Sequence, residues 1–126
     1  MGAVSVRYIV DDMDGAIGFY RDLLGFEVVM HPAPPFAMLA RGDLRLLLSV
    51  PSGQGGGGQT LADGRRPEPG GWNRFQIEVA DLPAEYERLQ AAGASFASEL
   101  IEGIGGDQVL VADPSGNLVE LFQPKR

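Results

Sequence analysis

The sequence predicts an α+β fold that consists of two similar β-α-β-β-β modules in tandem. Residues 79–94 resemble residues 10–26 and lie 69 positions later, and residues 116–121 resemble residues 42–47 and lie 74 positions later. Because the two similarities occur in the same order along the chain, they indicate an internal duplication. In each half, β-branched runs, one amphipathic stretch and well-placed turn residues predict the same series of elements.

The first module is predicted from its strand runs, helix caps and turn residues. Asp12 is suited to cap a helix, and Gly25 is suited to end it in the left-handed conformation. Ile17, Tyr20 and Leu24 lie on one face of that helix at helical spacing. The predicted elements are strand 4–10, helix 14–24, strand 26–30, a proline-rich loop at 31–35, and a hairpin of strands 36–40 and 44–50.

The second module is predicted to follow the same order. Asp81 caps its helix, Pro83 fits the first helical turn, and Gly93 ends the helix. The residues expected on the buried face of this helix are Leu82, Tyr86 and Leu89. The predicted strands are 73–79, 95–100, 108–112 and 118–123, and the last two are joined by a turn at 113–117.

A segment rich in glycine and proline, residues 52–71, separates the two modules. We interpret the chain as a single domain, with the first module at about 1–51 and the second at about 72–126. A structureless stretch of this length is unusual inside a compact domain. It is either a flexible linker or a lid over a cleft, and the sequence leaves both interpretations open.

The composition excludes several classes of function. The chain has 126 residues, no cysteine and a net charge of −7. This charge argues against nucleic acid as a partner, because such binding depends on neutralising phosphates. Without cysteine there is no thiolate metal site and no thiol nucleophile. No signal peptide or transmembrane segment is recognisable, so we expect a cytoplasmic protein that does not associate with membranes.

Three motifs resemble those of a known family. They are Val10-Asp11-Asp12-Met13, the run 19–26 (Phe-Tyr-Arg-Asp-Leu-Leu-Gly-Phe) and the run 113–121 (Asp-Pro-Ser-Gly-Asn-Leu-Val-Glu-Leu). Together they resemble the vicinal oxygen chelate superfamily, which includes glyoxalase I, extradiol dioxygenases and the fosfomycin and bleomycin resistance proteins. The resemblance implies that the strands of both modules form a curved-sheet cup, the glyoxalase/bleomycin resistance fold, with a site inside it.

The resemblance also implies where a metal would be bound. Metal-using members carry a His on the first strand of a module and a Glu on its last strand. The corresponding positions here hold Ser5 and Arg74 for the His, and Leu46 and Glu120 for the Glu. Only the glutamate suits a divalent cation, since a Leu supplies no ligand atom and an Arg is cationic. We therefore expect no metal and no other cofactor. The sole histidine, His31, lies outside the motif.

Strand alternation then predicts which side chains line the cup. Arg74 and Glu120 form either a structural pair or a contact to a polar group of a ligand. Trp72 either stacks on a ligand or anchors the linker in the core, and the facing of Phe36 and Met38 is open. A filled core is the alternative to a cup. The residues expected to contact a ligand are Ser5, Phe36, Met38, Leu46, Leu48, Trp72, Arg74, Gln76, Glu120 and Phe122.

These observations lead to two functional hypotheses. The first is a metal-free protein that sequesters a hydrophobic or aromatic small molecule such as an antibiotic, and that acts as a homodimer like the antibiotic-binding members of the superfamily. The alternative is a glyoxalase-like lyase, isomerase or dioxygenase. Such an enzyme would use a metal with atypical ligands, or would use Glu120 as a metal-free general base. The sequence does not identify the ligand.

Overall fold

Two mixed β-sheets, each accompanied by one helix, make up the fold. The computed structural model describes residues 2–51 and 57–125. The chain divides into two compact units, Met1–Gly70 and Gly71–Arg126. Within the described ranges, every helix is too short or too polar to cross a membrane.

The first unit contains a four-stranded sheet in the order β1-β4-β3-β2. Strand β1 is parallel to β4, while β3 is antiparallel to both of its neighbours. The helix follows β1 and contacts β3 and β4. The elements are β1 Ser5–Ile9, α1 Met13–Gly18, a π-helical turn Phe19–Leu23, β2 Glu27–Ala33, β3 Phe36–Arg41 and β4 Leu44–Ser49.

The second unit repeats this topology. Its sheet has the order β5-β9-β8-β6, with β7 also paired to β8, and β5 is parallel to β9. The prediction of an α+β fold with two β-α-β-β-β modules is therefore confirmed. The elements are β5 Arg74–Glu78, α2 Leu82–Ala91, β6 Ser95–Phe96, β7 Ile101–Glu102, β8 Gly106–Ala112 and β9 Leu118–Pro124.

Both helices have the capping residues that the sequence predicts. Asp12 Oδ1 accepts a hydrogen bond from the backbone N–H of Gly15 at 3.0 Å, and Asp81 Oδ1 accepts one from Ala84 at 3.1 Å. Each of these bonds satisfies an N–H that the helix itself leaves free. Gly25 and Gly93 have φ values of 74° and 83°, and so provide the left-handed residues that follow the helices.

The first helix differs from its prediction in its second half. Regular α-helix stops at Gly18, and the chain continues as a π-helical turn to Leu23. Three aromatic side chains explain the change. Tyr20 packs edge-to-face against Phe19 at 4.9 Å and against Phe26 at 5.5 Å between ring centroids, and all three are buried. The wider turn accommodates two adjacent buried rings, and we attribute the departure from α-helix to this packing.

The predicted loop at 31–35 is wrong for its first three residues. Strand β2 extends through His31 and Pro32 to Ala33, and only Pro34 and Pro35 form the turn. The strand tolerates Pro32 because β2 is at the edge of the sheet, and because its register shifts between Met30 and Ala33. A missing N–H therefore breaks no regular ladder there.

The predicted strand at 95–100 is also interrupted. It exists as two short strands, β6 and β7, which pair with successive parts of β8. Between them, Ser98 Oγ accepts a hydrogen bond from the backbone N–H of Leu110 at 2.9 Å. A side-chain oxygen thus replaces the backbone carbonyl that a continuous strand would supply.

The two faces of the first sheet differ in burial. We call the face that carries Val6, Tyr8, Ala37, Leu39, Leu46 and Leu48 the helix face, because β3 and β4 contact α1 and five of these six residues are buried. The opposite, open face carries Ser5, Arg7, Ile9, Phe36, Met38, Arg45, Leu47 and Ser49. On the open face only Ser49 is buried.

This arrangement corrects the prediction that Leu46 and Leu48 share a face with Ser5. Leu46 pairs with Val6 and Leu48 pairs with Tyr8, and both leucines are fully buried in the core. Residues paired between adjacent strands point to the same face.

The turn 113–117 is held by one buried carboxylate. Asp113 Oδ1 accepts hydrogen bonds from the backbone N–H groups of Ser115 and Asn117, both at 2.9 Å, and Oδ2 accepts one from Asn117 Nδ2 at 3.0 Å. Gly116 has a φ of 88°, which favours glycine. The predicted turn is therefore confirmed.

We predict that Asp113→Ala lowers the free energy of unfolding by about 2–3 kcal/mol, because it leaves three donors without their acceptor. Asp81→Ala is the control, since it removes a single exposed capping bond and should cost about 1 kcal/mol. Urea denaturation of both variants measures the difference. Equal losses would contradict the role of Asp113.

We predict that Leu46→Ala lowers the free energy of unfolding by about 2–4 kcal/mol, because it opens a cavity in the core. Its neighbour Leu47 lies half-buried on the open face, so Leu47→Ala should cost about 1 kcal/mol or less. Thermal and urea unfolding of the two variants provide the comparison. A larger loss for Leu47→Ala would show that the faces have been assigned the wrong way round.

Candidate functional site

A polar cluster lies on one face of the second sheet. Arg74, Gln76 and Glu78 on β5 pair in register with Leu118, Glu120 and Phe122 on β9, so these six side chains share a face. Arg74 Nε donates to Glu120 Oε1 at 3.0 Å, and Gln76 Nε2 donates to Glu120 Oε2 at 2.6 Å. The prediction that Arg74 and Glu120 pair is confirmed, and each oxygen of the carboxylate has a donor.

The burial of Glu120 makes these two hydrogen bonds necessary. Its side chain is only 10% exposed, and the apolar residues Leu118 and Leu110 are its neighbours on the same face. A buried carboxylate is costly unless it is paired and hydrogen-bonded. Arg74 provides the opposite charge and Gln76 provides a neutral donor. The three residues therefore act as one unit, and removing either donor removes one of the two bonds that hold the carboxylate in this arrangement.

Apolar side chains surround this cluster on the same face. Phe122 follows Glu120 by two residues, and its ring lies against the backbone of Gly106 on β8. A Cβ added at Gly106 would lie 2.5 Å from Cζ of that ring, so only glycine allows this close approach. The face thus combines an ion pair with an aromatic ring, and both belong to the predicted ligand-contacting set.

The structure contradicts one of the two interpretations of Trp72, the buried anchor for the linker. Strand β5 begins at Arg74, so strand alternation does not extend to Trp72. The indole is 79% exposed, which rules out the interpretation of Trp72 as a buried anchor. It follows Gly70 and Gly71, whose φ values of 101° and 96° favour glycine. A large aromatic side chain with this exposure is available for contact with another molecule.

The open face of the first sheet settles the facing of two residues that the sequence left open. Phe36 pairs with Ser49 and Met38 pairs with Leu47, so both lie on the face that carries Ser5. They are half-buried, as is Leu47. The apolar part of this face is therefore Phe36, Met38 and Leu47, whereas Leu46 and Leu48 belong to the core.

Sequence reasoning missed one contact on this face. Arg7 Nη1 donates to the buried Ser49 Oγ at 3.2 Å. Gly57 approaches both side chains so closely that an added Cβ would overlap Arg7 Nη1 and Ser49 Oγ. Alternation along β1 predicts where Arg7 points, but no sequence signal connects it to Ser49, 42 positions away, or to a glycine in the inter-module segment.

The strand register also changes one of the four positions at which the resemblance implies a metal ligand. Gln76 stands two residues after Arg74 and pairs with Glu120, while Arg7 stands two residues after Ser5 and pairs with Leu47. Leu47, not Leu46, is therefore the counterpart of Glu120. Counting from the turn glycine fails because the first hairpin turn has two residues, 42–43, and the second has five, 113–117. A shift of one residue moves a side chain to the other face.

The residues at these four positions do not fit a metal. Ser5, Leu47, Arg74 and Glu120 include one good ligand for a divalent cation, and both oxygens of that ligand accept hydrogen bonds from neighbours. Among residues 2–51 and 57–125, no group of three or more His, Asp or Glu side chains could hold a metal ion. His31 lines a surface depression with Asp11, Asp12 and Asp14 at the end of the first sheet.

Comparison with known proteins agrees with the fold and the repeat. The family model described as the Glyoxalase/Bleomycin resistance protein/Dioxygenase superfamily matches residues 2–121. A bleomycin resistance protein of Geobacillus stearothermophilus is 28% identical over 120 residues, which cover 90% of each chain.

Several solved structures have the same fold. A superfamily member from Sphaerobacter thermophilus has a TM-score of 0.76 and 26% identity, with 98% of this chain and 97% of that chain covered. TnmS3, an antibiotic binding protein from Streptomyces sp. CB03234, has a TM-score of 0.73 and 23% identity over 99% and 97% of the two chains. Lactoylglutathione lyase from Agrobacterium tumefaciens has a TM-score of 0.74 and 24% identity over 97% and 92%.

The match spans both modules and nearly the whole sequence, and the described elements have the topology that the duplicated motifs predict. The chain therefore belongs to the glyoxalase/bleomycin resistance protein/dioxygenase superfamily.

Proposed function

We propose that this protein binds a hydrophobic or aromatic small molecule without a metal and holds it unchanged, as an antibiotic-sequestering resistance protein does in the cytoplasm. One observation carries the proposal. Among the four motif positions, Glu120 is the one residue whose side chain suits a metal. Arg74 neutralises the charge of its carboxylate, and Gln76 donates a hydrogen bond to it. A carboxylate with both oxygens engaged in this way supports binding better than it supports metal or base chemistry.

The relatives support the same class of function. The chain is similar along nine-tenths of its length to bleomycin resistance proteins, and its fold is that of an antibiotic binding protein, TnmS3. Small-molecule sites are mostly apolar surfaces with a few well-placed polar groups. Each module offers such a surface. On the surface of the first module the residues that we infer to contact a ligand are Ser5, Phe36, Met38 and Leu47. On the surface of the second they are Trp72, Arg74, Gln76, Glu120 and Phe122.

The enzymatic alternative draws on the fold of lactoylglutathione lyase and would use Glu120 as a general base. A general base has to reach the proton that it abstracts. Here Arg74 Nε and Gln76 Nε2 already donate to its two oxygens, at 3.0 and 2.6 Å. Each oxygen keeps a further lone pair, but both are already held in place by donors, and the sequestration function requires no rearrangement of them.

We predict that aromatic antibiotics and planar aromatic compounds bind and quench the fluorescence of Trp72, the only tryptophan. Bleomycin and a panel of planar probes should be titrated against protein dialysed with a chelator, and elemental analysis should find no stoichiometric metal. Trp72→Ala should weaken binding by about 1–3 kcal/mol in calorimetry, because stacking and burial are lost.

Ile104→Ala is the matched control, since Ile104 is a fully exposed large apolar residue on a loop of the same module. If Trp72→Ala and Ile104→Ala bind equally tightly, Trp72 makes no contact with the ligand. Mass spectrometry of the recovered compound tests the absence of turnover. A chemically altered compound whose formation stops in Glu120→Gln would favour the enzyme instead.

We also propose that the protein is a homodimer and that β2 contributes to its interface. Strand β2 is the edge of the first sheet, and Val28, Val29 and Met30 on it are all exposed. An exposed apolar edge strand is a site for association with another chain. In a two-fold dimer the same patch is used by both copies.

Light scattering at micromolar concentration should give about twice the mass of one chain, 13.4 kDa. Val29→Glu should shift the protein towards the monomer, because it places two like charges in the interface. Val4→Glu changes an exposed valine outside β2 and should leave the dimer intact. A wild-type mass near that of one chain would overturn the dimer, and a dimeric Val29→Glu protein would overturn this interface.

A further inference from the structure

We propose that the Arg74 guanidinium is a docking group for two coplanar oxygens of an aromatic ligand, as in an aryl carboxylate, and that Gln76 positions it for this role. The inference rests on the proposed binding function and defines the chemical class of the ligand. It depends on which nitrogen atoms of Arg74 are engaged and which remain free.

Glu120 engages Arg74 through a single nitrogen. Nε donates to Oε1 at 3.0 Å, and Nη1 and Nη2 have no hydrogen-bond or ion-pair partner in the described residues 2–51 and 57–125. The Arg74 side chain is 27% exposed, so these terminal amino groups are not sealed in the core. Their four N–H groups are strong donors in a fixed plane.

The hydrogen bond from Gln76 explains why the pairing is limited to one nitrogen. Arginine and carboxylate side chains frequently pair through two parallel N–H···O bonds. Here the second oxygen of Glu120 accepts from Gln76 Nε2 at 2.6 Å instead. The carboxylate is thus divided between two donors. Glu120 fixes the orientation of the guanidinium while its Nη1–Nη2 edge stays available for a second, bidentate partner.

The chemistry of that edge selects the partner. Two parallel N–H groups in one plane match two adjacent oxygens in one plane, which is the geometry of a carboxylate. Glu120 lies on the Nε side of the guanidinium, so ligand oxygens at Nη1 and Nη2 are closer to the arginine charge than to the glutamate charge. The attraction of the ligand to Arg74 therefore exceeds its repulsion by Glu120. Leu118 and Phe122 share the face with Arg74 and provide apolar surface for the rest of an aromatic molecule.

The test compares two probes of the same size and shape, 2-naphthoate and its neutral amide, 2-naphthamide. Calorimetry with the full-length protein should show that the carboxylate binds about tenfold more tightly, the effect of one charge-assisted hydrogen-bonded pair. In Arg74→Lys, which keeps the charge and loses the planar donors, this preference should fall to about threefold or less.

Gln76→Leu tests the positioning role. Without Gln76, Glu120 is free to pair with Arg74 through both oxygens, and the preference for the carboxylate should fall as in Arg74→Lys. Arg45→Lys, an exposed arginine of the first module, should leave the preference unchanged. Circular dichroism and thermal melts check that each variant is folded.

Each outcome decides a specific claim. Equal affinities of the two probes in the wild-type protein, or a full preference retained in Arg74→Lys, would overturn the docking role and leave the binding function in place. A full preference in a folded Gln76→Leu protein would overturn its positioning role. If neither probe binds, and the wider aromatic panel also fails, both this inference and the proposed function are wrong.

Discussion

The parallel pairing of the first and last strands in each module is the constraint on which the rest of the structure depends. Strands β1 and β4 are far apart in the sequence, as are β5 and β9, yet each pair is in register over five residues. Since paired residues point to the same face, this register decides which side chains enter the core and which remain on the open face. The same pairing brings Arg74, Gln76 and Glu120 together.

The buried carboxylate of Glu120 connects the architecture to the function. A buried charge has to be compensated, and the two donors that compensate it engage both oxygens, which are the atoms that a metal would bind. Ser5, Leu47 and Arg74 supply no such ligand at the other three positions, and Gln76 holds the second oxygen of the glutamate. Fold and activity separate because so few residues decide the chemistry.

Sequence signals were reliable where a side chain acts on the backbone of its near neighbours. Asp12 and Asp81 cap their helices, Gly25 and Gly93 follow them, and Asp113 organises its turn, because each acts on backbone groups within a few residues. Predictions that depended on distant neighbours were less reliable. The strand through His31 and Pro32 and the interruption at Ser98 depend on pairing with other strands, whereas the π-helical turn goes with the packing of three buried aromatic rings.

By itself, the sequence determined the two modules, their order of elements and the superfamily, because repeated motifs and capping residues act over short distances. Only the tertiary structure decided that Leu46 is a core residue, that Leu47 is the counterpart of Glu120, and that Gln76 takes the second carboxylate oxygen. The physical reason is register. A hairpin turn of two residues instead of five changes the facing of the next strand, and that choice is made when the strands pair.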